Sequence, residues 1–202
     1  MKYTFLSLLF FASMTTSIFS QIAPSLEDIK GAQVGDTVLN FTLLDQNGKS
    51  FTLSEALKDG PVVMLFYRGQ WCPFCNKHML RLQDSLPLIE AKGARLIAIS
   101  PENPEYLEKM EAKTGAHFTL LYDSSYQVAR AMDVLWSPDE KLITKYDNIS
   151  GKPLNEVHGT ENTLLPVPAT FIINQQGVIV WRHFEPNYKE RSGVDAILRA
   201  IP

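Results

Sequence analysis

The feature that most constrains this chain is a junction between an apolar strand, a cysteine pair and a helix start. Val62-Val-Met-Leu-Phe-Tyr67 is an unbroken apolar run. Such a run reads as a strand covered on both faces, as in a parallel sheet. Cys72-Pro-Phe-Cys75 follows a short way on. Pro73 suits the first turn of a helix, where no backbone N–H is needed. Met79, Leu80, Leu82, Leu86, Leu88 and Ile89 then recur near helical spacing, and Pro87 should kink or end that helix. Both cysteines therefore fall just past the end of a buried strand, where chemistry sits in open α/β sheets.

These are the only two cysteines in 202 residues. Their spacing allows the sulfurs to bridge on one helical turn. Unpaired N–H groups and the positive end of the helix dipole favour a thiolate there, and the thiolate is the nucleophile. Arg68 adds positive charge from upstream. Three readings compete: redox chemistry at Cys72 and Cys75, a structural disulfide, and a zinc half-site. A ring this small barely limits the unfolded chain, which weakens the structural reading. Zinc needs four ligands and there is no second CxxC; His78 continues the spacing as CxxCxxH but reads better as a helix-surface imidazole. Strand, CxxC and helix coincide as redox chemistry requires.

The remaining chain supports an α/β domain with a mixed sheet. At 45% hydrophobic and 10% aromatic, it carries too much apolar matter for a disordered coil. A net charge of −3 argues against a nucleic-acid binder. Met1-Lys2, the apolar run Phe5–Ile18 and Ser20 look like a cleavable signal peptide over residues 1–20, which predicts an extracytoplasmic protein. No later apolar run approaches the length of a membrane span. Residues 21–202 read as one domain. Strands at 41–44 and 50–53 flank an Asn-Gly turn, giving an N-terminal hairpin. After 62–67, strands are expected at 94–100 and 119–122. Helices are expected from an Asn103 cap to Thr114, over 124–132 and over 188–201. A second hairpin spans 169–181. Residues 134–166 read as a loop-rich insertion.

The segments YRGQWCPFCNKHMLRL and LPVPATFIINQQGVI resemble the thioredoxin superfamily, and more closely the peroxiredoxin-like branch of the alkyl hydroperoxide reductase and thiol-specific antioxidant family. The resemblance implies a thioredoxin fold with an added N-terminal hairpin. It implies reduction of hydrogen peroxide and organic hydroperoxides without metal or organic cofactor. Electrons would return from thioredoxin or a similar dithiol. Aligned on Phe66-Tyr67, Cys75 falls on the family's peroxidatic cysteine, Cys72 on its Thr and Arg68 on its Pro; in thioredoxins the first cysteine of CxxC attacks, which would be Cys72, though that alignment needs one inserted residue. The family's Arg before the later strand falls on Pro168, where thioredoxins carry a cis proline. The Thr and Arg that orient the peroxide are thus missing, with Arg68 or Arg182 as possible substitutes. Trp71 is placed to shield the sulfurs or to offer a docking surface, and with Arg68 and Pro168 it is expected to line the site.

The resulting mechanism has Cys75 attack the peroxide and Cys72 close the disulfide. One alternative is an extracytoplasmic thiol–disulfide oxidoreductase acting on protein disulfides. Another is a non-enzymatic binding module using residues 134–166. Glu102, Glu105, Glu108 and Glu111 read as a solvated helix face. His117, His158 and His183 read as structural.

Overall fold

A computed structural model describes residues 24–202. The expected signal peptide lies outside the described residues. The elements in chain order are β1 (Thr42–Asp45), β2 (Ser50–Thr52), α1 (Leu53–Asp59), β3 (Val62–Phe66), α2 (Pro73–Asp84), α3 (Leu86–Glu90), β4 (Arg95–Ser100), α4 (Pro104–Thr114) and β5 (Thr119–Tyr122). There follow α5 (Gln127–Ala131), β6 (Leu135–Trp136), α6 (Glu140–Ser150), α7 (Leu154–His158), β7 (Leu165–Pro166), β8 (Ala169–Ile173), β9 (Ile179–Phe184) and α8 (Val194–Ala200).

Seven strands form one sheet in the order β2-β1-β5-β4-β3-β8-β9. Strands β3, β4 and β5 run parallel, while β1 joins β5, and β8 joins β3, antiparallel. This is the mixed sheet of a thioredoxin fold with an added hairpin. All five residues of β3 are buried, as an unbroken apolar run requires when both faces of a sheet are covered. The two hairpins turn by the same device. Asp45 Oδ1 accepts the N–H groups of Asn47 and Lys49 at 2.8 Å, and Asn174 Oδ1 accepts those of Gln176 and Val178. Each turn places a glycine, Gly48 or Gly177, in the left-handed region.

Helix α2 buries Cys75, His78, Met79 and Leu82, the i, i+3, i+4, i+7 stripe of a helix lying on a sheet. It ends at Asp84, and Pro87 sits in the first turn of the separate α3, so the chain breaks where proline requires. Helix α2 packs against α4, and the parallel crossovers from β3 to β5 put both on one face.

Several expectations need correction. Residues 134–166 are not loop-rich: they hold α6 and α7, closed off by the two-stranded ribbon β6–β7. The helix expected over 124–132 covers only Gln127–Ala131, and the closing helix begins at Val194 rather than at 188. Asn103 occupies the cap of α4, but its side chain reaches the carbonyl of Glu156 instead of the helix. His78 is not on the surface but buried at 2% exposure. Glu102 is fully buried; it lies before the α4 cap, so it never joins the helical stripe of the other glutamates.

Candidate functional site

The site is built where β3 runs out. Tyr67 still bonds to β4, its N–H meeting the Ile99 carbonyl at 3.1 Å. The loop Arg68–Trp71 then turns the chain into α2. Gly69 has φ +152, and a Cβ there would lie 2.5 Å from both Glu102 Oε1 and Trp71 Nε1, so a side chain has neither the conformation nor the room. Glu102 holds this loop through Oε2, which accepts the Gln70 N–H at 2.7 Å. Its other oxygen and the Trp71 indole N–H have no partner. Burial pushes the Glu102 carboxyl well above the usual carboxylate range.

Cys72 is the residue from which α2 starts, its carbonyl accepting the Asn76 N–H at 3.0 Å. Cys75 lies in the first turn. Both are free thiols with 0% and 1% exposure. Arg68, itself 3% exposed, donates from Nη2 to Cys72 Sγ at 3.2 Å. Its guanidinium is enclosed by three aromatic rings, 5.0 Å from the centre of Trp71, 4.9 Å from Tyr146 and 4.0 Å from Tyr188. The π faces stabilise a charge that burial would otherwise penalise.

The two sulfurs differ sharply in acidity. The Cys75 thiol, donating a hydrogen bond to Cys72, and the Arg68 guanidinium together hold the Cys72 thiol down to about 5 against the cost of burial. Burial and the donated proton push Cys75 well above the ordinary thiol range. Of the two, Cys72 is therefore the sulfur that ionises more readily. This order is the reverse of the one implied by aligning Cys75 with a peroxidatic cysteine.

Of the expected site residues, Cys72, Cys75, Arg68 and Trp71 come together. Pro168 also reaches the site, lining a cavity of about 160 Å³ with Arg68, Trp136, Tyr146 and Tyr188. Its peptide bond is trans, not cis as expected. Just before it, the Val167 N–H bonds to the Val134 carbonyl at 2.7 Å, and trans is the isomer that X–Pro bonds favour. Arg182 is elsewhere: its Nη1 serves the carbonyls of Lys30, Gly31 and Ala32, pinning the N-terminal segment. His158 is buried and bonded through Nδ1 to the Tyr126 hydroxyl at 3.0 Å, a tie between α7 and α5. Among the described residues no cluster of three or more His, Cys, Asp and Glu is arranged to hold a metal ion.

Four residues escaped the sequence reading. Tyr146 comes from α6, Tyr188 and Arg191 from the loop between β9 and α8, and Glu102 from the end of β4. Helix α6 did carry a signal, since Asp139 caps it by accepting the Leu142 N–H and Gly151 closes it in the left-handed conformation. Nothing in the run Tyr188–Gly193 marks its two site residues.

Residues 34–182 match the AhpC/TSA family. The chain is similar to a chloroplastic peroxiredoxin Q of Populus jackii, at 32% identity over 60% of this chain and 58% of that protein. It is similar to a putative peroxiredoxin bcp of Haemophilus influenzae, at 33% identity over 57% of this chain and 74% of that one. The match thus spans little more than half the length of the poplar protein. Among solved structures, peroxidoxin BcpB from Mycobacterium tuberculosis shares the fold, with a TM-score of 0.65 and 24% identity over 84% of this chain and 96% of that one. The relatives overturn the extracytoplasmic location expected from the N-terminus. Those whose names carry a location are chloroplastic peroxiredoxin Q proteins. No helix among the described residues is long and apolar enough to cross a membrane.

Proposed function

The chain belongs to the AhpC/TSA family, and from that membership we propose that it is a thiol peroxidase whose attacking group is the Cys72 thiolate. The observation that carries this reading is the buried Arg68 guanidinium at 3.2 Å from Cys72 Sγ. It acidifies the sulfur and offers further N–H groups to a peroxide oxygen, the task that the family's missing Thr and Arg leave open.

The Cys72 thiolate attacks one oxygen of the hydroperoxide. The O–O bond breaks, an S–O bond forms, and Cys72 becomes a sulfenic acid. The departing alkoxide takes the proton that Cys75 was donating to Cys72, which leaves Cys75 as a thiolate. Cys75 then attacks the sulfenic sulfur, an S–S bond forms, and hydroxide leaves to be protonated to water. A dithiol reductant, thioredoxin or one of the same chemistry, opens the bridge through a mixed disulfide, gives it two electrons and leaves as a disulfide itself. The cavity beside Arg68 lies on the side from which a peroxide would approach that guanidinium.

One observation favours protein disulfides as the oxidant instead: an acidic first cysteine of a CxxC also suits thiol–disulfide exchange. Membership of the AhpC/TSA family favours the peroxide over a protein disulfide as the oxidant. Stopped-flow reaction of the reduced protein with hydrogen peroxide and cumene hydroperoxide tests the proposal. We expect rates far above those of free cysteine, with sulfenic acid trapped in Cys75→Ser but not in Cys72→Ser. Rates no better than free cysteine would reject the peroxidase. Trapping in Cys72→Ser alone would restore Cys75 as the attacking group.

A further inference from the structure

The loop between β9 and α8, residues 185–193, lies across the start of α2 and is tied down at one end. His78 Nε2, on α2, is 3.2 Å from both the carbonyl and the hydroxyl oxygen of Ser192. The Ser192 hydroxyl in turn meets Thr170 Oγ1 of β8 at 2.9 Å. All three side chains are buried. A buried chain of this kind fixes the residue beside it, and that residue is Arg191. Its Nη1 bonds to the carbonyls of Tyr188 and Glu190, so the loop's own backbone holds the guanidinium. Nη2 is left to point at Cys75 Sγ, 3.7 Å away. Each sulfur of the pair therefore has its own guanidinium: Arg68 for Cys72 and Arg191 for Cys75.

The second guanidinium has no use while Cys75 is a thiol. The proposed cycle puts negative charge on Cys75 twice: before it attacks the sulfenic acid, and when it leaves as the reductant opens the disulfide. We propose that Arg191 is a catalytic residue, contacting the Cys75 sulfur and carrying its negative charge in both steps. In the first, the S–S bond forms as the S–O bond breaks; in the second, the reductant's sulfur bonds to Cys72 as the S–S bond breaks and the electron pair goes to Cys75. This role rests on the peroxidase cycle above, but the contact with Cys75 does not. The groups facing Cys75 are Arg191 from the strap, Arg68 and Cys72 from the loop before α2, and Glu102 and Tyr67 from the ends of β4 and β3. Among them the two arginines favour a thiolate.

The test reads Cys75 directly in the full chain. In Cys72→Ser protein, thiolate absorbance near 240 nm is followed against pH with Arg191 intact, Arg191→Lys or Arg191→Gln. A guanidinium at this range is worth about one pH unit or more. We expect Arg191→Gln to move the midpoint up by about that much, roughly a tenfold loss of thiolate at a given pH. Arg191→Lys, which keeps the charge, should move it less and serves as the reference if the Gln variant folds poorly. In the two-cysteine protein, Arg191→Gln should slow the peroxide-independent disulfide-forming phase about tenfold, and more than it slows the peroxide-dependent phase. An unchanged midpoint in folded Arg191→Gln protein, or equal slowing of both phases, would overturn the assignment. The midpoint needs no peroxide, so it can stand or fall separately from the peroxidase activity.

Discussion

Arg68 reaches its sulfur across four residues of one loop, whereas Arg191 reaches its sulfur across 116 residues of chain. The near side of the site, residues 66–75, is a local structure: a strand end, a glycine turn and a helix start. The far side is assembled from α6 and the strap after β9, which meet the near side only once the sheet has formed. The near side has its charge fully buried among three rings; the far side holds its own at the half-buried edge. The contrast suggests a division of labour, in which the near side acidifies the attacking sulfur and the far side serves the sulfur that must ionise later.

The largest effect should come from removing the near-side charge. Arg68→Gln takes away both the hydrogen bond to Cys72 and the donors for the peroxide, and a loss of roughly a hundredfold in the peroxide-dependent rate is expected. If Arg191→Gln cost as much in that same phase, the division would fail. Next comes the turn that presents Arg68. Gly69→Ala forces a strained backbone and a clash with Glu102 and Trp71, so thermal unfolding should show a loss of about 1–3 kcal/mol.

His78 joins the two sides, and its effect depends on pH. Burial and the nearby Arg191 hold it neutral, down to about 3 from an ordinary value of 6.5. Below pH 6.5 the unfolded chain gains a proton that the folded chain refuses. Stability therefore falls with pH by up to about 1.4 kcal/mol per unit until the folded group titrates. Melting curves of His78→Gln between pH 7 and 4 should show a shallower decline than the parent. A parallel decline would mean that the imidazole is not sealed under the strap. The smallest effect is expected at the far wall. Tyr188→Ala removes the ring 4.0 Å from the Arg68 guanidinium, about 1 kcal/mol of attraction or roughly a fivefold slower peroxide phase.

The near side was legible because its signals are local. An apolar run, a CxxC and a proline at a helix start each follow from a physical rule, and β3, α2 and both hairpins formed where those rules place them. The far side was not legible for the opposite reason. Arg191 and Tyr188 sit in a run with no periodicity, and only tertiary packing brings them to the sulfurs. Glu102 was misread because its spacing to Glu105, Glu108 and Glu111 mimics a helix that begins after it. His78 was misread because a lone histidine carries no mark of the face it occupies, although its place three residues after Cys75 puts it on the buried stripe. Pro168 followed a family resemblance to a cis bond, while its peptide bond here is trans. The acidity of the pair was hidden too. Alignment puts Cys75 in the peroxidatic position, whereas the attack proposed from Arg68 falls on Cys72, and the tertiary contacts of the two sulfurs favour that alternative.

The pH dependence of the second-order rate with hydrogen peroxide tests this last point most directly. With a Cys72 thiol held down to about 5, the rate should stay level from pH 8 to near 6 and fall only as pH approaches 5. A rate that instead climbs steadily through pH 8 to 9, as for an ordinary thiol, would show that no preformed Cys72 thiolate drives the reaction.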